Sequence, residues 1–254
     1  MSDYRLGKRP AVRPHALASL DEYIMGRPPQ PPAACPPPQI ANWGMFANGP
    51  DPTCDVPGAP FGDCVIAGSA HAIMAVNSAL GTADKVPDSD QAVHEYFMET
   101  GGVDSGLNVA DHLAKWHQYG IFADDGSANL LPAYAPVSNG SILALHRAIW
   151  LCRDCKMGWQ LPETAEAQIR AGEPFTVVPG AEIIGGHDME AVGYDDQWVY
   201  LVTWGQLQPA SYAFVETYCD EAFALLMQAV KERGFGPTQI DFASLEADLD
   251  KLAA

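Results

Sequence analysis

The chain has 254 residues, of which 48% are hydrophobic, and this length allows one substantial core or two small ones. Its 32 acidic residues outnumber its 14 basic residues and give a net charge of -18, which argues against a nucleic-acid partner. The longest apolar runs, such as residues 222–227, are far shorter than the roughly 20 residues of a membrane span. Residues 4–10 are polar and basic and lack the apolar core of a signal peptide. We therefore predict no membrane partner, no transmembrane segment and no signal peptide.

The first 40 residues are rich in proline and carry five of the 14 basic side chains. Because proline removes backbone donors and favours extended chain, residues 1–40 are predicted to lie outside the core as an arm. A short helix is predicted within it over residues 17–25. The arm either wraps the domain or reaches a neighbouring molecule. Its basic side chains either are exposed to solvent, as in a tail, or bind an acidic surface of a partner.

Helical periodicity dominates the middle of the chain, and short strand-like runs dominate the second half. The helices are predicted over residues 63–80, 89–100, 108–119, 141–151, 163–171, 218–233 and 244–252. The strands are predicted over residues 156–161, 175–178, 188–194, 198–203 and 212–215. This order predicts an α+β fold in which a helical half packs against an antiparallel sheet half. We expect three regions, namely the arm over 1–40, a domain over 41–236 and a helical tail over 237–254.

Cys64 stands where a turn-rich loop becomes a helix, with Asp63 as the expected N-cap. A thiol in the first helical turn gains roughly 0.3–1 kcal/mol from the helix dipole. This lowers the pKa by less than one unit, because one unit costs about 1.4 kcal/mol. A cationic imidazole must therefore supply the rest if Cys64 is to be a nucleophilic thiolate. The alternative is a small buried hydrophobic residue at a helix start.

His187 is the imidazole that we expect to pair with Cys64. It opens a strand directly after Gly185 and Gly186, whose missing side chains leave space for a substrate backbone. His71 lies seven residues after Cys64 on the same helix, roughly 10 Å away, which is too far for a hydrogen bond. The pairing predicted is therefore Cys64 with His187.

Side-chain alternation along the strand predicts which group orients His187. His187 and Met189 face one way and Asp188 and Glu190 the other, so Asp188 should not orient the imidazole. The orienting group should come from the paired strand over residues 198–204. A three-residue hairpin loop at 195–197 places Thr203 diagonal to His187, whereas a two-residue loop places Trp204 there.

Cys152 and Cys155 have the spacing of a metal or redox pair. A structural zinc ion needs four ligands, and no second cysteine pair or histidine pair accompanies them. We therefore expect two ordinary thiols at a junction between a helix and a strand, and we predict no metal and no cofactor.

Several short motifs resemble those of the papain-like cysteine peptidase fold. They are the small residues that follow Cys64 at a helix start, the Gly186-His187 pair that opens a strand, Val192-Gly193-Tyr194 and Thr203-Trp204-Gly205. The resemblance implies a papain-like fold with Cys64 as the nucleophile, His187 as the base and Trp204 as the indole that shields the orienting hydrogen bond. Asp63, Gly185 and Gly186 would line the cleft.

Two positions depart from the papain-like pattern. Gly58 stands six residues before Cys64, where the family has the glutamine that stabilises the oxyanion, and Asn48 is the donor expected in its place. Val202 or Thr203 stands where the family has an orienting asparagine, so Thr203 is the expected orienting group. Thr is a weaker acceptor than Asn in this role.

Further segments resemble a poorly characterised protein family of actinobacteriophages and actinobacteria. They include Asn42-Trp43-Gly44-Met45, residues 203–209 and residues 218–222. This resemblance implies a papain-like core, a place in the phage particle and a location in the host cytoplasm, the virion or both. The function predicted is a phage-encoded cysteine hydrolase that cleaves peptide or amide bonds in a peptide or protein substrate. The alternative is a catalytically degenerate structural protein whose arm binds phage structural proteins.

Overall fold

The computed structural model describes residues 4–12, 17–49, 53–124, 127–234 and 239–253. Within these residues the helices are α1 Leu20–Tyr23, α2 Cys64–Leu80, α3 Ser89–Thr100, α4 Val109–Tyr119, α5 Ile142–Cys152, α6 Thr164–Ala171, α7 Tyr212–Tyr218, α8 Gln228–Arg233 and α9 Phe242–Ala253. The strands are β1 Ile24–Met25, β2 Ile121–Asp124, β3 Ser127–Asn129, β4 Ala133–Pro136, β5 Cys155–Pro162, β6 Ile183–Tyr194, β7 Trp198–Thr203, β8 Gln206–Ser211, β9 Cys219–Leu226 and β10 Gln239–Ile240. In this part of the chain, no helix has the length and apolar content that a bilayer crossing requires.

The main sheet has six strands in the order β4-β9-β5-β6-β7-β8, and each neighbouring pair is antiparallel. Helix α2 packs on β6 near the middle of this sheet. Helices α3 and α8 also contact α2, while α5 and α7 pack on strands of the sheet, so helices and sheet form the two parts of the fold. The predicted α+β fold with an antiparallel sheet is confirmed.

Helix α2 approaches the sheet closely because it carries a glycine at the contact. A β-carbon on Gly68 would lie 2.1 Å from a carboxylate oxygen of Asp188 and 2.8 Å from the Lys156 ammonium nitrogen. Lys156 binds Asp188 at 2.6 Å and Glu190 at 3.0 Å, and it also donates to the Val65 carbonyl at 2.9 Å. Lys156 thereby ties the first turn of α2 to β5 and β6. One ammonium group faces two buried carboxylates, and burial raises the pKa of both Asp188 and Glu190.

Three predicted elements in the second half of the chain are wrong. Residues 212–215 belong to helix α7 rather than to a strand, and residues 219–226 form β9 rather than the start of a long helix. Strand β9 lies between β4 and β5 and is buried on both faces from Glu221 onwards. Its sequence therefore does not alternate between apolar and polar residues, which is the pattern that would have predicted a strand. In the predicted strand 175–178, Phe175 makes a single bridge to Ala210, because prolines at 174 and 179 limit further pairing.

Strands β4 and β8 were missed in the sequence because each contains a proline. Pro136 and Pro209 disguise them as loops, yet both strands lie at the edges of the sheet, where proline is tolerated. The two short pairs β1–β10 and β2–β3 were also missed, since two to four residues give no periodic signal.

The N-terminal segment wraps the domain and contributes to its core, although the sequence predicted that it lies outside. Leu20, Tyr23, Ile24 and Cys35 are buried in the main hydrophobic cluster. Strand β1 pairs with β10, and the Tyr23 hydroxyl donates to Asp248 of α9 at 2.9 Å. Residues 1–3 and 13–16 of the predicted arm lie outside the described residues.

Candidate active site

Cys64 is the first residue of α2 and is buried, with 1% of its surface exposed. The backbone N–H groups of Gly7 and Asp188 donate to its sulfur. Because Asp188 follows His187 in β6, these contacts place the sulfur at the part of the strand that carries the histidine. Asp63 occupies the N-cap position, as predicted, although its side chain makes no capping hydrogen bond to the helix.

Burial is the largest of the causes that raise the pKa of the Cys64 thiol to about 12, and the nearby negative charges of Asp188 and Asp63 act in the same direction. The two backbone N–H groups lower it, but by less. The expectation of a thiolate favoured by the helix dipole is therefore wrong for this closed state. The helix dipole is a small contribution beside the desolvation of a completely buried sulfur.

His187 is buried and lies between a hydroxyl and an indole. Its Nε2 is 2.8 Å from the Thr203 hydroxyl, and its ring stacks on Trp204 with 4.6 Å between ring centroids. Burial, with a smaller contribution from repulsion by a protonated His71, lowers the pKa of His187 to about 3. With the proton of the neutral ring on Nε2, the Thr203 oxygen accepts it and Nδ1 is left as an acceptor. Nδ1 has no hydrogen-bond partner among the described residues.

The pairing of β6 with β7 explains why both Thr203 and Trp204 contact His187. Tyr194 pairs with Val199, but a bulge follows, and Ala191 pairs with Leu201. Beyond the bulge, β6 and β7 pair in the register that a three-residue loop would give. Thr203 is then opposite Met189 and therefore diagonal to His187. Trp204 follows directly with a φ of 45°, which turns its indole over the imidazole.

Asn48 is buried beside the same narrow cavity as Cys64 and His187. Its amide nitrogen donates to the Arg5 carbonyl at 3.1 Å and to the Phe61 carbonyl at 3.2 Å. The amide therefore binds peptide carbonyl oxygens next to the thiol, which is the chemistry that an oxyanion donor requires.

His71 also lines this cavity, although sequence spacing set it aside as a partner of Cys64. It lies two turns along α2 on the same side as Cys64, and its Nε2 is 2.8 Å from the Gly44 carbonyl. Burial lowers the pKa of His71 to about 4, with the hydrogen bond to Gly44 acting in the opposite direction. The cavity thus holds two neutral imidazoles.

Residues 4–10, which we call the strap, lie directly over the thiol. Lys8 bridges Leu107 on one side of the groove in parallel and Gly186 on the other side in antiparallel fashion. The Leu107 N–H donates to the Gly7 carbonyl and the Arg9 N–H to the Leu107 carbonyl, each at 2.8 Å. Tyr4 stacks on Trp204 with 4.3 Å between ring centroids.

Glycines on the strap and in the groove allow this close approach. A β-carbon on Gly7 would lie 1.6 Å from the Gly62 carbonyl oxygen, and one on Gly106 would lie 2.1 Å from the Gly7 carbonyl oxygen. On the opposite side, a β-carbon on Gly186 would lie 2.3 Å from the Lys8 carbonyl oxygen, and Gly185 packs on Leu6. The space predicted at Gly185 and Gly186 for an extended backbone is filled by the strap.

The loop that forms the far wall of the groove was not predicted from the sequence. Asp104 accepts from the Gly62 N–H at 3.0 Å and from the Tyr96 hydroxyl at 2.8 Å, and it forms an ion pair with Arg5 at 2.7 Å. Leu107 supplies the backbone that pairs with the strap. Glycines at 101, 102 and 106 mark a loop in the sequence but do not indicate what it contacts.

Cys152 and Cys155 are buried where α5 ends and β5 begins, and among the described residues no disulfide links any of the six cysteines. Among the described residues, no group of three or more His, Cys, Asp or Glu side chains is arranged to hold a metal ion.

An antiparallel sheet packed on helices, with a cysteine opening the buried helix and a histidine on the facing strand, is the papain-like cysteine protease fold. The chain is similar to xylellain, a cysteine protease from Xylella fastidiosa, with a TM-score of 0.63 and 14% identity, covering 88% of this chain and 96% of that one. It is also similar to procathepsin B S9 from Trypanosoma congolense, with a TM-score of 0.54 and 11% identity, covering 87% of this chain and 86% of that one. These identities establish the fold alone. No protein-family model and no curated protein matches the sequence.

Proposed function

We propose that the protein is a papain-like cysteine hydrolase that cleaves peptide or amide bonds. The observation that carries this proposal is the strap, because an extended peptide already lies in the groove with its backbone bound on both sides. Its Gly7 N–H contacts the Cys64 sulfur, and its Arg5 carbonyl accepts from Asn48. A substrate peptide needs the same contacts.

The strap must leave before substrate can bind. Because burial is the largest cause of both shifts, hydration of the opened groove lowers the pKa of Cys64 and raises that of His187. The thiol proton can then pass from sulfur to Nδ1 of His187. The Nε2–H bond to Thr203 and the stacked Trp204 hold the ring in place during this transfer.

The reaction then follows from the groups in the groove. The Cys64 sulfur attacks the substrate carbonyl carbon, and Asn48 together with the Cys64 backbone N–H stabilises the oxyanion. His187 returns its proton to the leaving amine, which leaves a thioester on Cys64. Water, deprotonated by His187, attacks the thioester, releases the carboxylic acid and restores the thiol. Asp63, Gly185 and Gly186 line the cleft without taking part in proton transfer.

The test is hydrolysis of a fluorogenic peptide library by the full chain and by the Gly7→Val variant, which weakens the strap. We expect turnover that rises in Gly7→Val and disappears when Cys64→Ser or His187→Ala is added. Cys54→Ser, at a half-buried thiol, is the matched control and should keep its activity. Turnover that survives Cys64→Ser would overturn the proposal.

One observation favours a second candidate, a catalytically degenerate structural protein. In the closed state the thiol is protonated and the imidazole neutral, and a threonine stands where the family has an asparagine. A folded Gly7→Val protein that cleaves no peptide and is not acylated at Cys64 would favour this candidate. Its place in a phage particle, its binding to phage structural proteins and its location in host cytoplasm or virion rest on the sequence resemblance alone. The domain limits at residues 40 and 236 also stay predictions.

A further inference from the structure

The strap inserts one side chain deep into the groove, next to the catalytic residues. The Lys8 side chain is completely buried, and its ammonium nitrogen lies 3.0 Å from Asp220 and 3.1 Å from Glu221. Burial acts to lower the pKa of Lys8, but the charges and hydrogen bonds of Glu221 and Asp220 outweigh it and raise the pKa. Lys8 is therefore a cation held by two carboxylates.

The pocket around Lys8 is shaped for an unbranched chain. A β-carbon on Gly158 of β5 would lie 2.1 Å from Cε of Lys8 and 2.6 Å from Cγ of Glu221, so the absence of a side chain there makes room for the lysine stem. The Gln160 amide donates to Asp220 at 2.7 Å and fixes that carboxylate at the end of the pocket. We call Gly158, Gln160, Asp220 and Glu221 the acidic pocket.

The acidic pocket requires a positive charge to be stable. Glu221 is 5% exposed, and its Oε2 has no hydrogen-bond partner among the described residues. Burial raises the pKa of Glu221 to about 7 even though Lys8 lowers it. Removing the cation would leave the buried Glu221 carboxylate and the half-buried Asp220 carboxylate side by side without a positive partner, which is costly.

The acidic pocket lies one residue from the reacting centre. Gly7, whose N–H contacts the Cys64 sulfur, is followed by Lys8, whose N–H donates to the Gly186 carbonyl at 3.1 Å. Gly186 in turn precedes His187. A peptide bound in the groove therefore presents a side chain to the acidic pocket next to the peptide group over the thiol.

We propose that the acidic pocket selects substrates with a lysine side chain at this position, and that Lys8 is the internal occupant that a substrate lysine replaces. The proposal rests on the proposed function, since it assigns specificity to that same groove. Selectivity arises because a neutral side chain of the same length leaves the carboxylates without a positive partner, whereas an acidic side chain adds a third negative charge beside them.

The first experiment uses the intact chain. Lys8→Met keeps the length of the side chain but removes its charge, and Glu221→Gln removes one partner while keeping its shape. Both should increase the rate at which iodoacetamide modifies Cys64 at least tenfold, measured by peptide mass spectrometry. Glu216→Gln, at an exposed carboxylate of α7, is the matched control. Unchanged rates in both variants would show that the acidic pocket does not retain a peptide and would overturn the proposal.

The second experiment measures selectivity without catalysis. A labelled peptide with the sequence of residues 4–10, and versions with Met or Glu in place of its lysine, are titrated into the folded Lys8→Met, Cys64→Ala protein and followed by fluorescence anisotropy. We expect the lysine peptide to bind at least tenfold more tightly than the methionine peptide, and Glu221→Gln to abolish that difference. Equal binding, or no saturable binding of the lysine peptide, would overturn the proposal. A protein that binds the lysine peptide but cleaves no peptide would overturn the hydrolase and leave the acidic pocket intact.

Discussion

Thr203 gives His187 a partner different from the asparagine that the papain-like pattern implies. A hydroxyl offers one oxygen, which accepts the Nε2–H at 2.8 Å, and the side chain projects from a buried strand. The β-branched side chain has a restricted χ1 angle, so it fixes the oxygen without an amide group. Stacking on Trp204 fixes the plane of the imidazole. The hydrogen bond to Thr203 and the stacking on Trp204 together restrict the direction and the rotation of the His187 ring.

We predict that Thr203→Val lowers kcat/KM for peptide hydrolysis at least tenfold in the Gly7→Val background. The substitution keeps the shape of the side chain but leaves the buried Nε2–H without an acceptor, which costs about 1–3 kcal/mol. Thr203→Ser restores an acceptor and should recover most of the activity. Thr217→Val, at an exposed helical threonine of α7, controls for the change of residue type. Equal activity in Thr203→Val and its parent would mean that Trp204 alone orients the ring.

The principal site residues could be predicted because their signals are local. The cysteine after Gly62-Asp63 marks the change from loop to helix, whereas His187, which the sequence predicted at the start of a strand, lies inside β6. Side-chain alternation along the strand narrowed the orienting group to Thr203 or Trp204, and both contact the imidazole. Burial could not be predicted in the same way. It depends on the strap, and Lys8 contacts Asp220 across 212 positions of sequence. No local pattern reports a contact of that range, so the pKa of Cys64 was predicted in the wrong direction.

At the scale of elements, the strap is held mainly by backbone contacts and by the Lys8 ion pairs. Its other ion pair, Arg5 with Asp104, is partly exposed and contributes little. Gly7 packs directly on the backbone of Gly62. The atoms that a β-carbon on Gly7 would meet first are the carbonyl oxygen and carbonyl carbon of Gly62. No flexible side chain can move aside to accept a larger residue at this position.

We therefore predict that Gly7→Val displaces the strap and exposes the thiol. Iodoacetamide should modify Cys64 at least tenfold faster at pH 7 than in the parent chain, while buried Cys35 keeps its rate. The Leu107 amide, which donates to the Gly7 carbonyl, should also exchange its hydrogen faster. Gly140→Ala, with open space around the added β-carbon, is the control for replacing a glycine elsewhere. Slow labelling together with an unchanged Leu107 amide would contradict the role given to the strap.

At the scale of the whole molecule, the net charge of -18 leaves an excess of carboxylates for the basic N-terminal segment to bind. Arg5 pairs with Asp104, and Lys8 pairs with Asp220 and Glu221. The sequence left open whether the basic arm is solvated or docks on an acidic surface. The basic side chains of the strap that form these ion pairs bind acidic residues of the same chain.

Buried titratable groups of both signs make the stability of the whole molecule depend on pH in opposing ways. Burial lowers the pKa of His187 to about 3 and that of His71 to about 4. The two histidines therefore contribute most to the free energy of unfolding above about pH 6.5, the pKa of an unfolded histidine, and this contribution is lost as the pH falls. Burial raises the pKa of Asp188 and of Glu221 to about 7. These two carboxyl groups contribute to the free energy of unfolding at low pH, and their contribution is lost as the pH rises through 7. Between pH 7 and 4 the two pairs oppose each other, so the parent protein hides both effects.

We predict that His71→Gln reveals the histidine contribution. An amide at this position can still donate to the Gly44 carbonyl, but it cannot take up a proton in the unfolded chain. Relative to the parent, the free energy of unfolding of the variant should therefore rise as pH falls, by about 1.4 kcal/mol per pH unit and by about 3 kcal/mol between pH 6.5 and 4. Urea unfolding at a series of pH values measures this difference, with His94→Gln, at an exposed histidine of α3, as the matched control. A difference that does not change with pH would show that His71 takes up its proton equally in the folded and unfolded chains, and that the cavity beside Cys64 does not hold a neutral imidazole there.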